Sequence, residues 1–93
     1  MVVVRLYGWI RERIGAKTIE LNTSDVPLEQ VIMMIDEKGD VLKEMKDGTL
    51  FVAVNHEITN DMKKVIKSND IVAIFPQFSG GYNGYGWADY KHD

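Results

Sequence analysis

Few side chains in this sequence are placed to do chemistry, and the residues that stand out are two glycines. Gly80 and Gly81 follow Pro76 by way of Gln77, Phe78 and Ser79. The chain has no cysteine, which removes a thiol nucleophile, a disulfide, Cys-ligated zinc and an iron–sulfur cluster. Its two histidines are His56 and His92. His56 falls in a predicted turn between Asn55 and Glu57 and reads as a solvent-exposed turn residue, with no metal or acid–base role. Asp36, Glu37, Asp40, Glu44 and Asp47 form an acidic stretch. Lys38, Lys43 and Lys46 interleave with it, and its spacing is not that of a calcium loop. There is no Gly-x-Gly-x-x-Gly and no nucleophile elbow. A hydrolase or oxidoreductase finds no support, and the chain reads as non-catalytic. A double glycine is common in turns, so its meaning depends on the elements in front of it.

The 93 residues make one domain with room for a modest core and little for an enclosed active site. The formal net charge is −3 and the pI about 5.3. No Lys/Arg cluster supplies the basic face that nucleic acid requires. The longest apolar runs, such as Val31–Ile35 and Ile71–Phe75, fall far short of the roughly 20 residues that span a bilayer. The start at Val2-Val3-Val4-Arg5-Leu6-Tyr7 lacks the pattern of a signal peptide, and a cytoplasmic protein is expected.

Four strands and one main helix are legible in the pattern, with shorter segments between them. Val2–Tyr7 and Ile71–Phe75 are β-branched and apolar and read as the two central strands. Lys17–Leu21 alternates polar with apolar and reads as a half-buried strand. Gly8–Gly15 fits a short helical turn closed by Gly15. Pro27 suits the first turn of a helix. Leu28, Val31, Ile32 and Ile35 then mark one apolar face, with Gly39 placed to stop it. Asp40–Gly48 reads as irregular or a fragment of helix. Leu50–Val54 is a strand with apolar residues on both faces. Ile58–Asn60 reads as a short edge segment. Asn60 or Asp61 is expected to cap a single helical turn carrying Met62, Val65 and Ile66. Pro76 ends the last strand. The order predicts an α+β domain: a four- to five-stranded mixed sheet with one main helix on one face.

Residues Asp70–Pro76 followed by Gln77-Phe78-Ser79-Gly80-Gly81 resemble the C-terminal signature of the molybdopterin synthase small subunit, where a buried strand ends in Pro and runs into a Ser-Gly-Gly tail. Leu6–Gly15 is similar to that family's first-strand exit, and Phe51–Glu57 to its third strand and Asn-containing turn. Together these matches reach from about Val2 to Gly81. The thiamine-pathway sulfur carrier is related, but its tail usually lacks the Pro-x-x-Ser context. The resemblance implies a ubiquitin-like β-grasp over residues 1–76 and a carrier tail over 77–81.

It also implies a mechanism. In that family the last glycine is adenylated by a ubiquitin-activating-type adenylyltransferase using ATP and then converted to a thiocarboxylate. The tail enters the molybdopterin synthase large subunit and donates its sulfur. Gly81 is the corresponding position here, with Phe78, Ser79 and Gly80 as the tail that carries it and no cofactor held permanently. Physical chemistry agrees with such a use. Two residues without a Cβ pass a narrow channel and adopt whatever φ/ψ a partner demands. The five residues Gln77–Gly81 reach roughly 17 Å when extended. Phe78 is either a partner anchor or packs back on the domain.

Residues 82–93 depart from the family pattern. Gly81 is joined to Tyr82, and an amide carbonyl offers ATP no carboxylate oxygen. Tyr82, Tyr85, Trp87 and Tyr90 sit in this segment with Gly84 and Gly86 between them. Three readings stay open: a precursor cut after Gly81 by a processing protease, a relative that has lost conjugation and serves as a binding module, or a segment without bearing on function. A ubiquitin-like protein modifier would use the same tail.

Overall fold

A computed structural model describes residues 1–76 of the chain. Seven strands and three helices form: β1 (Val2–Leu6), α1 (Ile10–Ile14), β2 (Thr18–Leu21), β3 (Val26–Pro27), α2 (Leu28–Asp36), α3 (Val41–Lys46), β4 (Leu50–Val54), β5 (Glu57–Thr59), β6 (Val65–Ile66) and β7 (Ile71–Pro76). Five of the strands make one sheet in the order β2-β1-β7-β4-β5. β1 and β7 run parallel, and the other pairings in the sheet are antiparallel. This is the mixed-sheet, ubiquitin-like β-grasp plan expected from the sequence.

The alternation of the strands sorts side chains onto two faces. Val2, Val4, Leu6, Leu50, Val52, Val54, Val72 and Ile74 point to one side and join Leu28, Val31, Ile32 and Ile35 of α2 in the main core. Ile32 and Ile35 are fully buried. Replacing Ile32 by Ala is therefore expected to cost about 2–5 kcal/mol of stability, read as a drop in urea midpoint at constant slope.

The segment predicted as a helical turn at Met62–Ile66 is not helical. Val65 and Ile66 pair with β3 in a small second sheet. Its carbonyls are committed elsewhere. Lys64 O accepts from Leu28 N at 2.8 Å, Met62 O from Glu29 N at 2.9 Å and Ile66 O from Asp25 N at 2.7 Å. The first two satisfy N-terminal amides of α2 that would otherwise be orphaned, and α2 has no side-chain cap. Asp61 does accept a hydrogen bond, from Lys63 N at 3.1 Å, but within a turn. Pro27 has extended backbone at φ −69°, ψ 155° and directly precedes α2 without entering its first turn. Residues 41–46, read as irregular or part-helical, form α3. Asp36 Oδ1 at the end of α2 accepts from both Val41 N and Leu42 N at 2.9 Å, capping α3 from across the turn.

The β4–β5 hairpin turns on Asn55 (φ 49°) and His56 (φ 74°), the paired left-handed geometry of a type I′ turn. His56 is exposed there, as expected. Asn55 also ties the hairpin to β7. Its Nδ2 donates to Asp70 Oδ1 at 3.0 Å and its Oδ1 accepts from Ile71 N at 2.9 Å, while Asp70 Oδ2 accepts from Lys67 N at 2.7 Å. The Asn55 side chain and then the Lys67 backbone N–H hold the Asp70 carboxyl below the usual aspartate range. A carboxylate depressed on folding stabilises the native state fully above its unfolded pKa, and that contribution is lost as pH falls through the folded value. Asp70→Asn should therefore lower stability at neutral pH and show a shallower loss than the parent below pH about 4, in denaturant titrations at pH 7 and pH 3.

Candidate functional site

The carrier reading puts the chemistry at Gly81, presented by Phe78, Ser79 and Gly80. All four lie outside the described residues, as does the segment 82–93. The described part of the site is the platform from which the tail departs, the C-terminal end of β7.

That end is held on both sides. Tyr7 N donates to Ile74 O at 3.0 Å, extending the parallel ladder one step past β1. On the other side Pro76 is in register with Leu50 and Phe75 with Phe51. Pro76 is thus the last residue of the strand and still paired, where the sequence suggested only a terminator. Against its ring lies Gly8 with φ +68°, so close that a Cβ there would stand 2.6 Å from Pro76 Cγ and 2.9 Å from Cδ. Only glycine meets both demands, the left-handed backbone and the missing side chain. Gly8 closes β1 and at the same time makes room for the strand exit.

The residues after Gly8 brace this corner. Arg11 Nε donates to Leu6 O at 2.7 Å, and its guanidinium lies 5.2 Å from the Tyr7 ring centroid. Arg13 stacks over Trp9 at 4.6 Å while pairing with Glu44 at 3.0 Å. Hydrogen bonds from the Thr49 hydroxyl and then from Arg13 hold the Glu44 carboxyl below its usual range. The chain from Trp9 to Ile14 is thereby fastened to α3 and to the approach of β4.

A second apolar cluster lies on the face of the sheet away from α2: Tyr7, Ala53, Ala73 and Phe75, each no more than 2% exposed. The Phe51 ring meets Phe75 edge-on, with centroids 6.1 Å apart, an arrangement worth about 0.5–1.5 kcal/mol beyond burial. Phe51 itself is 39% exposed. The sequence reading placed apolar residues on both faces of β4 and missed that the outer one belongs to the tail exit. It also missed Gly8 and Arg11 as parts of the platform. A Gly directly after a strand was the one visible signal.

Among the described residues no group of three or more His, Asp or Glu could hold a metal ion; what the arrangement supplies is a last strand braced on both sides up to Pro76. The ThiS family model matches residues 4–81, stopping at the second glycine. The chain belongs to the ThiS family. This is a family of ubiquitin-like sulfur carriers and modifiers, and it accounts for a domain whose described residues are all scaffold. Solved structures show the same fold. Small archaeal modifier protein 1 of Haloferax volcanii superposes with a TM-score of 0.69 at 20% identity, over 86% of this chain and 98% of that one. A putative molybdopterin converting factor subunit 1 from Pyrococcus furiosus gives 0.64 at 22% identity, over 83% and 97%. A chain of the complex of molybdopterin-converting factor subunits 1 and 2 from Helicobacter pylori gives 0.63 at 21% identity, over 86% and 97%. No curated protein matches the sequence significantly. Among the described residues, no helix of this ThiS-family chain is long and apolar enough to cross a membrane.

Proposed function

We propose that this ThiS-family protein is a cytoplasmic sulfur carrier of the molybdopterin synthase small-subunit type, activated at Gly81 after removal of residues 82–93. The observation that carries the reading is the coincidence of two ends: the family match stops at Gly81, five residues beyond a strand braced to its last residue.

The chemistry follows from a free carboxylate at that position. A processing protease hydrolyses the Gly81–Tyr82 amide and leaves the Gly81 carboxylate. A ubiquitin-activating-type adenylyltransferase brings ATP; a carboxylate oxygen attacks the α-phosphorus and pyrophosphate leaves. Hydrosulfide delivered by a partner attacks the acyl-adenylate carbonyl and AMP leaves, giving the thiocarboxylate. The tail Phe78-Ser79-Gly80-Gly81 enters the molybdopterin synthase large subunit, the thiocarboxylate sulfur attacks the acceptor, and water cleaves the acyl–sulfur bond to restore the Gly81 carboxylate. The solved assembly of converting-factor subunits 1 and 2 supports a partner of that class. The chain itself contributes reach and thinness, with bond-making groups on the partners.

The test is ATP–pyrophosphate exchange by the adenylyltransferase of the same cell. A chain ending at Gly81 supports exchange; the 93-residue chain does not. Equal exchange by both, or none by either, contradicts the reading. The likeness to an archaeal modifier protein favours a second outcome of the same activation, transfer of the Gly81 acyl group to a lysine. That outcome would be seen as higher-mass conjugates on a denaturing blot.

A further inference from the structure

The geometry points to the helix-free face of the sheet as a docking surface for this chain's own residues 82–93. The docking stands apart from the carrier reading; only its consequence for activation rests on that reading.

The two faces of the sheet are not alike. The buried residues of all three helices, Ile10, Leu28, Val31, Ile32, Ile35 and Val41, belong to the main core. On the other face, among the described residues, the buried cluster is built from the sheet and its immediate extension. Register makes a continuous strip there: Phe51 lies opposite Phe75, Ala53 opposite Ala73, and Ile58 opposite Ala53. Ala53 and Ala73, side by side and each no more than 2% exposed, lie beneath it. Phe51, 39% exposed, and Ile58, 54% exposed, stand as its walls. The apolar surface left exposed there, that of Phe51 and Ile58, is one that aromatic rings can cover.

The occupant is argued from where the described chain stops. β7 ends at Pro76, one residue past Phe75 and level with Leu50, so the remaining 17 residues leave from the lip of the strip. From β7 to β5 is two strand spacings, about 10 Å. A chain that reverses at Gly80–Gly81, where left-handed backbone costs nothing, brings the following residues back within that distance. Those residues are Tyr82, Tyr85, Trp87 and Tyr90, spaced by Gly84 and Gly86. Tyr and Trp can cover an apolar strip while their polar edges remain in water. A tether this short also gives an effective concentration in roughly the millimolar range, so a contact too weak to hold a free peptide is occupied intramolecularly. On the carrier reading, one segment then blocks both the Gly81 carboxylate and the face beside the tail exit, and a single cut releases both.

Amide NMR spectra of the 93-residue chain and of a chain ending at Gly81 decide it, recorded at equal concentrations. The proposal expects shift differences at Phe51, Ala53, Ile58 and Ala73. It also expects cross-relaxation between those residues and the Tyr and Trp rings of residues 82–93. Ile58→Ser in the full chain, a change at an exposed position, should shrink the differences without lowering the melting temperature. Differences confined to the residues beside the cut, differences on the α2 side at Met33, or differences that scale with protein concentration as contact between copies would, each overturn it. None of these outcomes depends on whether the chain is cut in its cell, so the docking and the carrier reading fail separately.

Discussion

Gly80→Val, in a chain ending at Gly81, is expected to cut the rate of ATP-dependent activation about a hundred-fold at saturating carrier, because displacing a reacting carbonyl by about 1 Å costs that much. The effect is steric and conformational. Valine restores a branched Cβ where a narrow channel must pass, and it forbids the φ > 0 region that glycine enters freely. The substitution lies beyond β7 in the sequence, and thermal unfolding is expected to match that of the parent. Activity within two-fold of the parent would mean that partners grip the folded domain and make no demand on the slenderness of the tail.

Gly8→Ala should be the most damaging single-atom addition in the domain. The new methyl would lie 2.6 Å from Pro76 Cγ at a backbone φ of +68°. A left-handed alanine costs about 1–2 kcal/mol, and overpacking against a proline ring about 1–3 kcal/mol more. A total of about 2–5 kcal/mol is a large share of the 5–15 kcal/mol that holds a domain together. Pro76→Ala removes Cγ and Cδ and should relieve the clash but not the backbone strain. The double substitution is therefore expected to be more stable than the sum of the two single losses predicts, with a coupling of about 1–2 kcal/mol in a double-mutant cycle. Strict additivity would mean that the strand exit is not seated on Gly8.

Much of this fold was legible because its period and its chemistry agreed. Val2–Leu6 and Ile71–Phe75 are β-branched runs, and Leu28, Val31, Ile32 and Ile35 lie on one side of α2. In each the local preference and the tertiary role coincide. The misreading at residues 62–66 has a specific source. Met62, Val65 and Ile66 fall at i, i+3 and i+4, a helical spacing, but the carbonyls of Met62 and Lys64 serve the amides of α2, far away in sequence. No periodicity reports that commitment. For residues 41–46 the reading stayed open between irregular and part-helical for a similar reason: the cap of α3 is Asp36, on the preceding helix. The candidate site divides the same way. Ser79-Gly80-Gly81 is a local motif and could be read directly. The contact of Gly8 with Pro76, and the aromatic edge that joins Phe51 to Phe75, exist only once β7 lies between β1 and β4.

That central position also bears on the proposed carrier role. β7 is flanked on both sides and anchored to β4 through Asn55 and Asp70 at its start. At its finish it is seated between Gly8 and Leu50. On the proposed reading, a strand restrained along its whole length gives a partner a fixed platform to grip beside the glycine tail.

The claim on which the account depends is that Gly81 becomes a chain end. Intact-mass measurement of the protein isolated from its own cell tests it directly. The account predicts a species lacking residues 82–93, accompanied by a second one heavier by the difference between a sulfur and an oxygen atom. Material found only with the Gly81–Tyr82 bond intact, under conditions in which the adenylyltransferase is present and active, would contradict it.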